Sequence, residues 1–282
     1  MQYMTGKASF GLLHIEQLYL WPFSSPSRIM APSGLAILIG AGPATGAGIA
    51  RILSHPSHGN MAVALLARRP EPLNDLVKSL RSQSPDAVLE AFPTDTKPEN
   101  LRKAFADIKT ANAFQGLKLK VAIFSIKNSS KKPFMSETFD EFMAPLESYV
   151  GGAMVFAQES LKRFFEDHGE KTLAEGSEKK GTLIFTGTLG ALRCNAEFGS
   201  YGASRGSVRQ LAQALAREMS AKGVHVAHTI ANGRIADADN EDTKSGKHMA
   251  AEAVGKTYLW LSQQEPTVWT HELDLRPAQE KF

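Results

Sequence analysis

The chain has 282 residues, of which 43 % are hydrophobic and 22 % are charged, a composition typical of a globular domain with a sizeable core. Its 32 basic residues nearly balance the 29 acidic ones, which argues against nucleic acid or a membrane surface as a partner. The sequence lacks an apolar run of the roughly 18 residues that a membrane-spanning helix needs, and its single cysteine, Cys194, excludes an intrachain disulfide and fits a reducing, cytoplasmic location.

The first 29 residues differ from the rest of the chain. Residues 10–23 are apolar but are interrupted by His14 and Glu16, and they lack the basic start and the small-residue cleavage site of a signal peptide. A stretch rich in serine and proline, typical of a linker, follows them. We therefore expect 1–29 to be an N-terminal extension, either flexible or packed on the surface as a short helix, and 30–282 to form one domain.

A strand, a glycine-rich loop and a helix are predicted in succession near the start of this domain. Residues 36–39 form a continuous apolar run, as in a strand buried on both faces, and residues 49–53 have helical spacing. The loop between them contains Gly40, Gly42, Gly46 and Gly48. Such a loop lets backbone N–H groups and the positive end of a helix approach a phosphate, which predicts a nucleotide site. The alternative is a glycine-rich turn that binds no ligand.

The remaining elements alternate between strand and helix. Apolar or alternating runs predict strands over 61–67, 87–92, 117–124, 182–185, 224–230 and 268–275. Apolar residues at core spacing predict helices over 73–80, 100–108, 138–165, 201–222 and 249–261. This order is typical of a doubly wound, mostly parallel sheet, so we predict a single-domain, Rossmann-like α/β fold with seven strands flanked by helices. Ligands of such sheets lie beyond the carboxyl ends of the strands.

The other charged residues give no sign of a metal site, and we predict no bound metal. The charged run 166–180 is predicted to be an exposed connection. His225 and His228 have an odd spacing within one predicted strand, so their side chains point to opposite faces. We assign both histidines a structural role.

Short motifs follow one another along the chain. They are Ala41-Gly-Pro-Ala-Thr-Gly-Ala-Gly48, Asp95-Thr96, Thr188, Tyr201-Gly-Ala-Ser-Arg205 and Asn232-Gly-Arg-Ile-Ala-Asp237. In this order they resemble the glycine motif, the adenine-binding Asp-Val pair, the catalytic Ser, the Tyr-xxx-Lys motif and the Pro-Gly-x-Val/Ile-x-Thr segment of the short-chain dehydrogenase/reductase family, over residues 34–276. The ending Trp269-Thr-His-Glu-Leu-Asp-Leu-Arg-Pro277 resembles an atypical branch of that family with an altered active-site tetrad.

The chain departs from the family pattern at several positions. Ala41 replaces a Thr, Arg205 replaces the Lys, and residues 124–127 stand where the family has Asn-Asn-Ala-Gly. The Asn that supports a proton relay in the family falls near Tyr149 here. Asp237 replaces a Thr that bonds a cofactor phosphate, and its carboxylate would repel that group. Either this loop turns differently or cofactor binding is weaker.

The resemblance implies a dinucleotide cofactor bound along the strand ends. The positions that it assigns to the cofactor are Gly42, Thr45, Gly46, Gly48, Asp95, Thr96, Ser125, Tyr201, Arg205, Gly233 and Ile235. An acidic residue at the end of the second strand would favour NAD, but Arg68 and Arg69 stand there. A guanidinium suits a 2′-phosphate, so we predict NADP(H). The alternative is a solvated arginine pair.

The resemblance assigns the chemistry to Tyr201, Arg205 and Thr188. Tyr201 would be the general acid in carbonyl reduction. A free phenol has a pKa of about 10, which is poorly matched to neutral pH, and a nearby positive charge lowers that pKa. Arg205 keeps that charge and would hold the nicotinamide ribose, although unlike Lys it cannot release a proton. Thr188 would orient the substrate oxygen, with Thr186 as the second choice by spacing.

These assignments predict an NADP(H)-dependent oxidoreductase that interconverts a carbonyl and a secondary alcohol on a small, fairly apolar substrate. The altered tetrad leaves two alternatives, a non-redox enzyme of isomerase or lyase type and a catalytically impaired nucleotide-binding protein. Family resemblance suggests a homodimer or homotetramer that pairs through the long helices. We expect neither nucleic acid nor a membrane among the partners.

Overall fold

The computed structural model describes residues 31–127 and 129–281, and the predicted extension over 1–29 lies outside them. The strands are β1 (Leu35–Ile39), β2 (Ala62–Ala67), β3 (Leu89–Pro93), β4 (Leu119–Phe124), β5 (Gly181–Gly187), β6 (Val224–Ala231), β7 (Ile235–Ala236), β8 (Met249–Ala250) and β9 (Glu272–Leu275). Seven of them form one sheet in the order β3-β2-β1-β4-β5-β6-β9, and every pairing is parallel. The predicted Rossmann-like α/β fold is confirmed, with β7 and β8 as an additional short pair.

Helices cover both faces of the sheet. They are α1 (Thr45–Ser54), α2 (Pro70–Gln83), α3 (Pro98–Thr110), α4 (Phe139–Pro145), α5 (Gly152–His168), α6 (Gly199–Met219), α7 (Glu241–Lys244) and α8 (Ala251–Gln263). Helices α1, α2 and α8 contribute to the apolar core on one face, and α3, α5 and α6 to the core on the other. All of β1 is therefore buried, which accounts for its continuous apolar run. Within the described part of the chain, no helix combines the length and apolar character needed to cross a membrane.

The order of the strands reverses beside β1. Its last residue, Ile39, is in register with Leu66 of β2 and Phe124 of β4. The carboxyl ends of these strands meet at a crevice, because the connections from β1 and β4 leave toward opposite faces of the sheet. The glycine-rich loop begins at this crevice, where the N–H of Gly40 donates to the carbonyl oxygen of Leu66.

The helical pattern predicted over 138–165 is interrupted in the structure. Helix α4 ends at Pro145, a π-helical segment covers Leu146–Gly151, and α5 follows. Proline has no N–H for the helical ladder, and a π-helical turn contains extra backbone, so side chains after the break point where regular spacing does not place them. Tyr149 of the π-helical segment is buried as a result.

The last strand is shorter than the predicted 268–275, since pairing with β6 begins at Glu272. The preceding residues pack on the end of α8 instead. The Trp269 ring stacks on the buried imidazole of His225 at a centroid distance of 5.2 Å, and both imidazole nitrogens face backbone carbonyl oxygens. His228 lies on the opposite face, 3.4 Å from the Glu272 carboxylate, as the odd spacing of the two histidines predicts.

The charged run 166–180 is exposed or partly buried, except at Lys180. Helix α5 continues to His168. Lys180 is buried, and its Nζ donates to the carbonyl oxygen of Lys171 at 2.5 Å and to the hydroxyl of Ser177 at 2.9 Å. Lys180 therefore closes the connection onto the sheet and is not a solvated charge.

We expect acid to destabilise the protein through His225. Burial lowers the pKa of this imidazole to about 4 from an ordinary value of 6.5. Because the unfolded chain binds the proton more readily, the stabilisation is complete above pH 6.5 and is lost as the pH falls toward 4. Over that range the free energy of unfolding should fall by up to about 3 kcal/mol more in the wild type than in His225→Gln.

Urea denaturation at a series of pH values measures this difference. His58→Gln, at an exposed position, serves as the control and should follow the wild-type curve. If the free energy of unfolding of His225→Gln depends on pH in the same way as that of the wild type, the lowered pKa assigned to His225 is wrong.

Candidate active site

Thr188 and Tyr201 meet at the carboxyl end of β5. Thr188 follows Gly187, the last residue of that strand, and Tyr201 lies in the first turn of α6. Their hydroxyl oxygens are 2.5 Å apart, within hydrogen-bond distance. Residue 190 passes close to the Tyr201 ring, and a Cβ there would overlap the ring, so glycine is required. The structure thus brings together the two hydroxyls that were predicted to act on one substrate oxygen.

Arg205 lies one helical turn after Tyr201 and is only 3 % exposed. Its guanidinium carbon is 4.0 Å from the ring centroid of Tyr149 and 5.2 Å from that of Tyr201, both within cation–π range. Nη1 donates to the Tyr149 hydroxyl at 2.5 Å, and Nη2 donates to the carbonyl oxygen of Ile126 at 3.5 Å. Two departures from the family pattern, at residue 205 and near residue 149, are therefore in direct contact.

Tyr149 connects Arg205 to the backbone of β5. Its hydroxyl donates to the carbonyl oxygen of Thr186 at 3.0 Å while it accepts from Arg205. Burial raises the pKa of Tyr149 even though the adjacent guanidinium opposes the change, so this phenol stays neutral at physiological pH. The Thr186 hydroxyl instead bonds the Tyr258 hydroxyl at 2.8 Å, on the α8 side of the sheet. Thr186, the second choice for the role of Thr188, is thus engaged away from Tyr201.

The glycines of the loop differ in what surrounds them. A Cβ at Gly46 would lie 2.8 Å from the Cα of Ala41, so this glycine permits the tight turn. Gly48 packs on a helix and not on a strand, because a Cβ there would overlap the carbonyl oxygen of Ala251 at the start of α8. The nearest atom to a Cβ at Gly42 is 3.9 Å away, which leaves this glycine beside open space.

The start of α1 suits an anion. Thr45 is its first residue, no side chain caps the helix, and the first turn carries no acidic residue. N–H groups at such a helix start carry partial positive charge and bind phosphates readily. Together with the open surface at Gly42, this end of the crevice fits the pyrophosphate of a dinucleotide.

Arg68 and Arg69 lie at the end of the strand beside the glycine loop. The N–H groups of Gly40 and Ala41 both donate to the carbonyl oxygen of Leu66, which is two residues before Arg68. Both arginine side chains are exposed. They stand at the edge of the crevice, where the sequence predicts contact with a 2′-phosphate.

Asp95, Thr96 and Ser125 lie beyond the ends of β3 and β4. Burial works to raise the pKa of Asp95, but hydrogen bonds from the Asn100 side chain and the Lys97 N–H outweigh it and lower the pKa. The Asp95 carboxylate is therefore charged and held against the start of α3. Thr96 and Ser125 are partly buried at the same edge of the sheet.

After β6 the chain runs along α1. Gly233 has a φ of +112°, and Ile235 lies in β7, which pairs with β8 just before α8. Asp237 then forms a two-pronged ion pair with Arg51, with both N···O distances at 2.8 Å. Arg51 lies in the last turn of α1, so the Asp237 carboxylate is neutralised away from the start of that helix. The structure thus pairs the Asp237 carboxylate with a cation, and the two possibilities raised by Asp237 stay predictions.

A cavity of about 480 Å³ lies beside the first turn of α6, which carries Tyr201. Gly190 and Phe198 line it, and the Phe198 ring meets the Tyr201 ring edge to face at a centroid distance of 5.7 Å. Phe134, from the segment before α4, and Leu192, from the loop after β5, also line the cavity and are exposed at its mouth. The charged residues Lys132, Glu137, Arg193 and Glu197 line it as well, so the cavity combines apolar with charged surface next to the start of α6, and Thr188 and Tyr201 are not part of its lining.

Two features of the site have no clear signal in the sequence. The pair of Arg51 and Asp237 joins residues 186 positions apart, and no local pattern links them. The direction of the Tyr149 side chain follows from the π-helical segment, for which the proline at 145 inside an apolar helical pattern is the only local indication.

A family model described as short chain dehydrogenase matches residues 35–246 of the chain. This match covers most of the chain and includes the glycine loop, Thr188, Tyr201 and Arg205. The chain therefore belongs to the short-chain dehydrogenase family, a family of oxidoreductases. A sequence comparison with curated proteins finds no match.

Solved structures share the fold. A short-chain dehydrogenase from Rhodopseudomonas palustris is 26 % identical, with a TM-score of 0.68 over 86 % of this chain and 97 % of its own. An alcohol dehydrogenase from the archaeon Thermococcus sibiricus, complexed with 5-hydroxy-NADP, is 17 % identical, with a TM-score of 0.70 over 88 % and 98 % of the two chains. A short-chain dehydrogenase from Burkholderia cenocepacia J2315, in complex with NADP, is 19 % identical, with a TM-score of 0.68 over 86 % and 95 %.

Two glycine substitutions should distinguish the glycine that packs against a neighbouring helix, Gly48, from the glycine that lies beside open space, Gly42. Gly48→Ala places a methyl group on the Ala251 carbonyl, so α1 and α8 must move apart, and we expect a loss of about 1–3 kcal/mol in the free energy of unfolding. A methyl group at Gly42 meets no atom closer than 3.9 Å, so Gly42→Ala should cost less than about 0.5 kcal/mol. Chemical denaturation of the ligand-free protein measures both values, and equal destabilisation would contradict the assigned contacts.

Proposed function

We propose that the chain is an NADP(H)-dependent oxidoreductase that interconverts a carbonyl and a secondary alcohol on a small, fairly apolar substrate. The observation that carries this proposal is the contact between the Thr188 and Tyr201 hydroxyls beside the Arg205 guanidinium. These groups lie at the same edge of the sheet as the glycine loop, where doubly wound folds bind their ligands.

Gly42 and the first turn of α1 would hold the pyrophosphate of the cofactor, and Arg68 with Arg69 would hold its 2′-phosphate. The Asp237 carboxylate does not oppose an anionic cofactor here, because Arg51 neutralises it. The structures from T. sibiricus and B. cenocepacia, which share the fold, were solved with an NADP analogue and with NADP, and this supports the choice of nucleotide. When bound, the nicotinamide supplies or accepts the hydride.

Tyr201 and Thr188 can hydrogen-bond one substrate oxygen because their hydroxyls are 2.5 Å apart. During reduction Tyr201 donates its proton to that oxygen, and Thr188 donates a hydrogen bond that fixes the position of the oxygen. In the opposite direction Tyr201 accepts the proton of the alcohol. The Arg205 guanidinium, 5.2 Å from the Tyr201 ring, stabilises the phenolate that forms.

The substrate would enter through the cavity beside Tyr201. Its volume of about 480 Å³ suits a small molecule. Phe134, Leu192 and Phe198 supply apolar surface for the part of the substrate that does not react. This part of the lining favours an apolar substituent on the substrate, while Lys132, Glu137, Arg193 and Glu197 line the rest of the cavity.

We also propose that copies associate as a homodimer or homotetramer through α5 and α6. Met154 of α5 is exposed, and a Cβ at Gly206 of α6 would have no atom within 4 Å, so both helices present uncovered surface away from the sheet. Light scattering of the purified protein distinguishes a monomer from these assemblies.

The proposed activity is tested with Tyr201→Phe. Purified wild type is titrated with NADPH and NADH and is then offered a panel of aldehydes and ketones while absorbance at the nicotinamide band is recorded. We expect NADPH consumption by the wild type, and a kcat at least about 100-fold lower in Tyr201→Phe, with the NADPH Kd within about twofold, because the variant lacks only the proton donor. Binding without consumption would favour a non-redox role, and failure to bind either nucleotide would defeat the proposal.

The nucleotide preference is tested with the double variant Arg68→Ala and Arg69→Ala. Losing charge-assisted bonds to a 2′-phosphate should raise the Kd for NADPH at least about tenfold, while the Kd for NADH, which lacks that group, changes less than about twofold. Arg217→Ala, an exposed position in the last turn of α6, is the control. Equal weakening of both nucleotides would contradict the assignment of the arginines.

A further inference from the structure

The hydroxyl of Tyr149 joins two parts of the site that are separate in the sequence. It accepts a hydrogen bond from Arg205 at 2.5 Å and donates one to the carbonyl oxygen of Thr186 at 3.0 Å. Thr186 lies in β5, two residues before Thr188. A continuous set of contacts therefore runs from the β5 backbone through Tyr149 to Arg205, and from Arg205 to the Tyr201 ring.

A buried guanidinium needs partners that replace its hydration. Arg205 is 3 % exposed and Tyr149 is 1 % exposed, so their contact is shielded from water. Tyr149 supplies both a hydroxyl acceptor and an aromatic face, at 4.0 Å from the guanidinium carbon. The guanidinium fork is planar and has several donors, so an acceptor and a flat surface together define its orientation.

The backbone around Tyr149 is also specialised. The residue lies in the π-helical segment Leu146–Gly151, between Pro145 and α5. Such segments are uncommon and often occur at functional sites, because they redirect a side chain out of regular helical spacing. Here the redirected side chain is the one that contacts Arg205.

We propose that Tyr149 is a positioning residue, whose hydroxyl holds the Arg205 guanidinium beside Tyr201. This inference rests on the proposed function, since Tyr201 is the proton donor only in that reaction. Without the hydroxyl, the guanidinium loses this link to β5, and its orientation is held less tightly by the contacts that remain. The charge then no longer stands at a fixed distance from the Tyr201 ring, and the proton transfer slows.

Tyr149→Phe tests the proposal, because it removes the hydroxyl and keeps the ring. Tyr258→Phe is a matched control, since Tyr258 is equally buried and its hydroxyl also makes two hydrogen bonds, to the hydroxyls of Thr186 and Thr229. We expect kcat for carbonyl reduction to fall at least about tenfold in Tyr149→Phe and less than about twofold in Tyr258→Phe. The KM for NADPH should stay within about twofold in Tyr258→Phe, because that variant leaves Arg205, which is also assigned to the nicotinamide ribose, in place.

A second measurement needs no turnover. Phenylglyoxal modifies accessible arginines, and peptide mass spectrometry follows Arg205, with the exposed Arg217 as internal reference. Modification of Arg205 should rise several-fold in Tyr149→Phe and stay at the wild-type rate in Tyr258→Phe. If Arg205 remains as protected as in the wild type, or if both variants lower kcat equally, the inference is wrong. If the wild type consumes no nicotinamide cofactor, the proposed function fails, and the modification rate alone decides whether Tyr149 holds Arg205.

Discussion

The approach of α1 to α8 sets the position of the glycine loop. A Cβ at Gly48 would overlap the carbonyl oxygen of Ala251, and a Cβ at Gly255 would overlap the carbonyl oxygen of Gly48. The two helices are thus in backbone contact, and close packing of this kind leaves no space for one to slide past the other. Because α1 begins at Thr45, the contact also fixes the helix end that faces the crevice. The open space at Gly42 and the reach of Arg51 to the segment after β6 both depend on this arrangement.

Replacing a lysine by an arginine in a buried site is not conservative, because the planar fork needs more acceptors and a flat neighbour. Tyr149 supplies one of these acceptors and the flat neighbour to Arg205, so the two unusual residues are best understood as one joint change. An arginine does not release its proton under these conditions. In the proposed reaction the proton of Tyr201 is therefore exchanged on the side of Thr188, and not through residue 205.

The strands were predictable from the sequence because a strand buried on both faces leaves a continuous apolar run, as in β1. Tyr201 and Arg205 could be placed together because they are four residues apart on one helix. The partners of Arg205 and of Asp237 could not be predicted. Arg51 and Asp237 meet only through the tertiary fold, and the side chain of Tyr149 follows a π-helical segment that leaves the regular helical period. The position of Lys180 was also missed, since charge alone suggested exposure while its buried Nζ finds local oxygen acceptors.

The two edge strands of the sheet, β3 and β9, differ in composition from the strands between them. β3 ends at Pro93, which has no N–H to offer, and β9 carries Glu272 and Asp274, each bound by an arginine, Arg209 and Arg276. Edges of this composition resist pairing with a strand from another molecule. The apolar runs of the central strands are thereby kept from acting as templates for aggregation in a crowded cell.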